Sequence, residues 1–252
     1  QSLVPSMNFR LSRPDILIDI NYAEDLNFFN IENSKIFIGA LIRHSKFEKN
    51  FNDSLLSNFL KNITPNIAHL PIRTRGTFCG SLAHADPASE WCCAFLALNG
   101  KVHAESKQNG KRIIDSENFF KTMFTTSLEP NELLVKAEIP ALDDSWRVGF
   151  EEFSRRSGDF ALAMAIVCIK IDNNSVSKAR ISIGSVASTP LLCPKAANLL
   201  EYKEVNDELL IEVSEMASQE VDILEDLHAS YDYKKELVKV MTYRALKKAF
   251  KI

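Results

Sequence analysis

The sequence predicts an α+β protein of antiparallel strands and packed helices, and three observations lead there. Short apolar runs of strand length are separated by stretches whose apolar residues recur three and four apart. The strongest strand pair, Phe160 to Ile171 and Lys178 to Val186, is joined by Asp172-Asn173-Asn174, a tight turn that sends the chain back antiparallel. After that pair the apolar spacing is helical to the end of the chain.

In chain order, Ile16-Leu17-Ile18 is an apolar run between Pro14 and Asp19 and predicts a buried strand; Lys35 to Leu41, where Ile36, Ile38 and Ala40 alternate with Phe37 and Gly39, predicts another. Asp53 is placed to cap a helix that carries Leu55, Leu56, Phe59 and Leu60 as one stripe and ends before Pro65. Leu70 to Pro87 has no clean period and holds Gly76 and Gly80, so it reads as a structured loop. Pro87 suits the first turn of a helix bearing Trp91, Phe95 and Leu98, which stops at Asn99-Gly100. Strands are expected at Lys101 to Glu105 and at Leu133 to Ile139, before Pro140. The polar stretch Ala141 to Arg147 is the expected boundary between domains at 1–142 and 147–252. Helices are expected at Pro194 to Leu200, Asp207 to Ala217 and Asp232 to Phe250, the last with Lys234, Lys235, Lys247 and Lys248 on its solvated face.

Composition narrows the function classes. The 252 residues carry 30 Lys plus Arg against 33 Asp plus Glu, a net charge of −3, without the basic excess of a general nucleic-acid binder. The longest apolar run, Phe160 to Ile169, is about half the roughly 20 residues a membrane helix needs. Cys79, Cys92, Cys93, Cys168 and Cys193 form no Cys-x-x-Cys pair, which argues against a disulfide framework and against a zinc or iron–sulfur site; a reducing cytoplasm is the expected compartment. His44, His69, His84, His103 and His228 lack ligand spacing, so no metal site is expected. Cys92 and Cys93 read as packed thiols.

The strongest motif is Arg73-Thr74-Arg75-Gly76-Thr77-Phe78-Cys79-Gly80-Ser81-Leu82-Ala83-His84-Ala85-Asp86-Pro87. Glycine lets backbone N–H groups approach an anion closely, hydroxyls add donors, and the arginines add charge, so the segment suits either a phosphate site or a simple polar turn. Neither the G-x-G-x-x-G fingerprint nor a P-loop is present.

The order of these residues resembles the FAD-binding medium subunit of molybdenum hydroxylases, the family of carbon monoxide dehydrogenase medium chains and of the flavin domain of xanthine dehydrogenase. That family's pattern, I-R-N-R-G-T-x-G-G-[SN]-L-A-H-A-D-P-A-[AS]-[ED], is matched by Ile72 to Glu90 with few departures. Gln1-Ser2-Leu3-Val4-Pro5-Ser6-Met7 resembles the end of the family's first flavin loop, A-G-G-Q-S-L-x-P-x-M, and Thr126 to Leu134 its T-x-L-x-P-x-E-L-L segment. Phe153 to Ala161 resembles the opening of its C-terminal domain, r-R-x-G-D-x-A, and Ser230 to Tyr233 and Tyr243 to Leu246 resemble its closing pieces.

The resemblance implies a two-part FAD-binding domain of the vanillyl-alcohol-oxidase (PCMH) type, here without its N-terminal strand, helix and Ala-Gly-Gly loop, followed by a sheet-and-helix domain like that of carbon monoxide dehydrogenase flavoproteins. It implies FAD held by Gln1, Ser2, Leu3 and Val4 and by Thr77, Phe78, Cys79, Gly80 and Ser81 around its pyrophosphate and ribityl part, with further contacts at Ile67, Glu90 and Leu134. Cys79 replaces a family glycine, and Glu151 stands where xanthine dehydrogenases have a flavin-contacting lysine. A positive φ at Cys79 would cost about 1 kcal/mol or more. Arg155, Arg156 and Asp159 read as an ion pair or as cofactor ligands, and His84 with Asp86 as a loop brace. No catalytic side chain is implied. The molybdenum cofactor and [2Fe-2S] clusters are expected on partner subunits, a large and a small chain, in a dimer of heterotrimers. A stand-alone flavin reductase or oxidase and a scaffold that has lost FAD are the alternatives.

Overall fold

The computed structural model describes residues 1–252. The first region holds α1 (Leu3–Asn8), β1 (Phe29–Glu32), β2 (Lys35–Gly39), α2 (Leu55–Ile63), α3 (Leu70–Arg73), α4 (Phe78–His84), α5 (Glu90–Ala97), β3 (Lys101–Ser106), β4 (Gly110–Asp115), α6 (Ser116–Phe119), β5 (Phe120–Thr122), β6 (Thr125–Thr126) and β7 (Leu133–Pro140). The second holds β8 (Trp146–Phe153), β9 (Ala163–Asp172), β10 (Ser175–Gly184), β11 (Leu191–Leu192), α7 (Pro194–Asn198), α8 (Asp207–Glu220) and α9 (Tyr231–Phe250). Five strands pair in the order β1-β2-β7-β3-β4 and four in the order β11-β10-β9-β8. Every pairing is antiparallel, so the α+β class holds.

The first sheet buries one face and the second buries both, since alternate residues of β9 turn to opposite sides: Met164, Ile166 and Cys168 to the first core, Ala165, Val167 and Ile169 to the second. Ile36, Ile38, Val102, Ala104, Ala137 and Ile139 turn into a first core rich in aromatic rings. There Phe78 lies 5.1 Å from Trp91, and Phe47 5.3 Å from Trp91, edge to face. The second core is aliphatic: Val167, Ile169, Ile181 and Ile183 pack under Leu210, Val213, Val238 and Met241 of α8 and α9.

Helix α5 joins the two regions. All its residues are buried, and after Glu90 they are apolar on every side. The Cys93 thiol donates to the Ser182 hydroxyl at 3.3 Å. At its C-terminal end Arg180 of β10 donates to Leu96 O at 2.9 Å and Ala97 O at 3.2 Å, and pairs with Glu117 at 2.9 Å. One guanidinium thus satisfies carbonyls that a helix end leaves open.

Several expectations are corrected. Ile16, Leu17 and Ile18 form no strand and lie exposed, because no neighbouring strand is there to pair with them. The cap of α2 is Ser54, whose hydroxyl accepts from Ser57 N–H at 3.1 Å, rather than Asp53. Leu70 to Pro87 is not a loop throughout but carries α3 and α4; the next helix starts at Glu90 after Ser89, three residues beyond Pro87. Strand β9 starts at Ala163, leaving Phe160 exposed, and β10 runs from Ser175 to Gly184. The turn between them has Asn173 and Asn174 both at positive φ, 49° and 63°, the geometry of a type I′ hairpin. Lys234 is buried rather than solvated, with its ammonium on Asp226 at 2.7 Å and Leu224 O at 2.9 Å.

Candidate functional site

A cleft of about 850 Å³ opens where the N-terminal residues, the segment from Ile67 to Glu90 and the loop between β8 and β9 meet. Close approach of backbone sets its walls. A Cβ on Gly76 would lie 2.5 Å from His44 Nε2, and one on Gly158, at φ +85°, would lie 2.3 Å from His69 Cε1. Glycine is therefore required at both positions. At Gly158 the second region rests directly on the first.

The bracing behind the cleft occupies most of the polar side chains that the motif offers. Arg73 reaches Glu48 at 2.7 Å and the carbonyls of Ile67 and Ala68. Arg43 donates to Arg75 O and Asn21 Oδ1. Arg75 faces the cleft. His44 is buried and accepts at Nδ1 from Trp91 Nε1 at 2.9 Å. Burial, and then the charges of the N-terminus, Arg43 and Arg73, bring its pKa down to about 4, so the ring is neutral at physiological pH.

Helix α4 starts at Thr77, whose hydroxyl caps it by accepting from Gly80 N–H at 3.0 Å. Phe78 N–H donates to Ile42 O and Ser81 N–H to Thr77 O, while the N–H groups of Thr77 and Cys79 have no backbone partner; of the two residues, Thr77 lines the cleft. Cys79 has helical backbone at negative φ, so its place in the motif carries no strain; its thiol points into the core toward Ile38 O at 3.4 Å. Burial pushes that thiol up to about 12, and it stays protonated.

Of the residues named from sequence, Gln1, Ser2, Leu3, Ile67, Thr77, Gly80, Ser81 and Glu90 line the cleft. Four do not. Val4 is exposed to solvent, Phe78 and Cys79 lie in the core behind α4, and Leu134 is buried in the first sheet. Glu151 is engaged elsewhere, with Lys248 of α9 at 2.5 Å. Asp159 lines the cleft without an ion pair to Arg155 or Arg156. His84 packs on the Phe124 ring at 5.0 Å, and burial lowers its pKa against the opposing charge of Asp86. His44, Gly158 and Phe160 were not singled out for the cleft; Gly158 lies inside the Arg-x-Gly-Asp piece that signalled the second region.

The donor set suits FAD. Hydroxyls of Ser2, Thr77 and Ser81, the free N–H group of Thr77 and the Arg75 cation match a pyrophosphate, and the Glu90 and Asp159 carboxyls match sugar hydroxyls. Leu3, Leu41, Ile67 and Ile72 supply apolar surface for rings. The glycine positions leave backbone bare where a bulky group must come close.

Comparison with known proteins agrees. A family model described as the FAD-binding domain in molybdopterin dehydrogenase matches residues 1–142, and one described as the CO dehydrogenase flavoprotein C-terminal domain matches residues 149–249. The alpha subunit of the 6-hydroxypseudooxynicotine dehydrogenase complex of Paenarthrobacter nicotinovorans is 37% identical over 250 residues, which are 99% of this chain and 84% of that protein. The structure of carbon monoxide dehydrogenase from Hydrogenophaga pseudoflava, lacking the Mo-pyranopterin moiety, superposes with a TM-score of 0.92 at 29% identity, covering 99% of this chain and 87% of that one. Quinoline 2-oxidoreductase from Pseudomonas putida 86 gives 0.91 at 30% identity, over 100% of this chain and 87% of that one.

Proposed function

The chain belongs to the family of FAD-binding subunits of molybdenum hydroxylases, and from that premise we propose how its cleft holds the cofactor and what it assembles with. FAD, when bound, supplies a junction that takes electrons singly and releases them in pairs. The chain's own work is to bind and orient. The free N–H group of Thr77, the Ser81 and Ser2 hydroxyls and the Arg75 cation take the pyrophosphate, while Gly80 leaves room for it. Gln1 and Leu3 flank the ribityl part. Glu90 accepts hydrogen bonds from sugar hydroxyls, and Ile67 shields ring faces from water. Phe78, Cys79 and Leu134 act from behind, by fixing α4 and β7, and Val4 takes no part. No side chain here needs to act as acid, base or nucleophile. The observation that carries this reading is the convergence of the N-terminal residues and the Thr77–Glu90 segment on one cleft.

The subunit's partners, in this reading, are an iron–sulfur small chain and a molybdenum-binding large chain, in a dimer of heterotrimers in the cytoplasm. Electrons pass from the clusters through this subunit to an external acceptor. The substrate is chosen elsewhere: the relatives' names speak of carbon monoxide, quinoline and 6-hydroxypseudooxynicotine, while this one chain is similar to all three along nearly its whole length. The chain divides into a FAD-binding domain at 1–142 and a second domain at 147–252. Exposed Phe9, Leu11, Ile16, Leu17 and Ile18 support an upstream strand and helix, carrying the Ala-Gly-Gly part of the first loop, that would cover them.

The test is the visible spectrum of this chain and of a version extended upstream through that loop, each desalted after incubation with FAD. Oxidised-flavin absorption that stays with the extended protein is the expected result, and co-purification with iron–sulfur and molybdenum-binding chains the second. Two folded, colourless proteins would overturn the reading in favour of a scaffold.

A further inference from the structure

Glu90 and Glu152 have no cation at ion-pair distance, unlike buried Glu138 with Lys35 or Glu132 with Arg112. They stand on opposite sides of the junction between the two regions. Glu152 of β8 is opposite Met164 of β9, which is opposite Gly184 of β10, so the three positions form one row on one face of the sheet. A Cβ at Gly184 would lie 3.3 Å from Cys93 Cβ, which places α5 over that row. Glu90 lies one turn before Cys93 on the same helix. Glu152 Oε2 is buried with no hydrogen-bond partner, while Glu90 opens onto the cleft. An unpaired buried carboxylate costs more than its protonated form, and a second carboxyl nearby makes double ionisation costlier still.

We propose that Glu90 and Glu152 work as one proton-holding pair across the junction, and that seating a hydroxyl-rich ligand against Glu90 discharges the proton, so that cofactor retention is linked to pH. The ligand half rests on the reading of the cleft given above. Burial first, then the charges of Glu152 and Asp86, push Glu90 up to about 8; burial, then Glu151, pushes Glu152 up to about 7. Arg75, on the cleft wall with Glu90, makes no ion pair with it, Asp159 there is a like charge, and the other charged groups on the packed elements do not offset the shifts. His84 of α4 and His44 are held down, Lys248 of α9 serves Glu151, Lys170 pairs across from Trp146 at the far end of β8, Lys61 of α2 is exposed, and Arg180 with Glu117 sits at the other end of α5. Hydroxyls donate best to a carboxylate, so binding favours the ionised pair and tightens as pH rises through the 7 to 8 window.

The experiment compares the full chain with Glu152→Gln, which keeps size and a donor but removes the like charge. FAD affinity, by flavin fluorescence, is expected to rise about tenfold between about pH 6 and 9 in the parent protein, with proton release in calorimetry, and to lose most of that slope in the variant. Thermal unfolding without flavin reads the pair alone. Because the folded-state pKa values are raised, stability is greatest below the unfolded value of about 4.3 and falls as pH rises toward 8. The variant should therefore gain thermal stability at high pH and little at low pH. Unchanged pH profiles in both readouts overturn the proposal. The thermal signature without any flavin binding leaves the pair standing and overturns the ligand linkage together with the cleft reading.

Discussion

Two buried carboxyl regions of this molecule solve the same problem in opposite ways. On the outer face of the first sheet Glu138 accepts from Lys35 at 2.7 Å and His103 at 2.8 Å. Burial alone would raise its pKa, yet those hydrogen bonds outweigh burial and hold it below the ordinary carboxylate range. At the junction Glu90 and Glu152 have no such partners, and both are raised. The difference teaches that burial by itself does not decide the charge of a carboxyl; the neighbours supplied by the register do. In the first sheet, Lys101 and Phe37 flank Glu138 across β3 and β2, and Lys35 and His103 lie within reach. Over β8, the neighbouring positions are Met164, Gly184 and the thiol of Cys93.

The most severe way to break the contrast is to lift α9 from β8. A Cβ on Gly149 would lie 1.8 Å from Ala245 O, so Gly149→Val should cost about 3 kcal/mol or more by parting α9 from β8, on the face of the strand opposite Glu152, as denaturant unfolding would show. Removing the charge at the paired site has a smaller and pH-bound effect. Glu138→Gln should destabilise by about 1 to 3 kcal/mol near pH 7. A depressed folded-state pKa gives stability that is present above the unfolded value of about 4.3 and is lost as pH falls through the folded value, so this deficit should shrink in urea titrations below about pH 4. It has the opposite sign to the change expected of Glu152→Gln at high pH. The smallest effect belongs to Lys35→Met, because Lys35 is half exposed and His103 remains on Glu138: at most about 1 kcal/mol, falling with added salt.

Much of the frame was legible in the chain and some was not, for reasons of pairing. The hairpin of β9 and β10 announces itself because its apolar run and its Asn-Asn turn are both local signals. Ile16 to Ile18 carries an equally good strand pattern, but a strand exists only beside another, and pattern alone does not supply the neighbour. β1, β4 and β8 were missed because Phe29–Glu32, Gly110–Asp115 and Trp146–Phe153 are half-exposed and polar, so alternation is weak; β1 nevertheless ends in Asn33-Ser34, whose positive φ values make a tight turn to β2. Glycines at 76 and 80 suggested a loop, whereas Thr77 caps a helix there. At the candidate site the motif located Thr77, Gly80, Ser81 and Glu90, but not that Arg73 and Arg43 would be spent on carbonyls of their own wall. Nor does any local pattern connect Glu90 with Glu152, since only the docking of α5 on the second sheet brings them together.

The five cysteines are all buried, none of them bonded to another, and burial raises every one of their thiols. A thiol-seeking dye in neutral solution therefore meets no target on the native surface. Cys93 and Cys168 stand at the seam between the regions and Cys193 under α8, so the rate at which label enters this protein is an internal clock for its opening, and a single cysteine introduced on the surface would be read against a silent background.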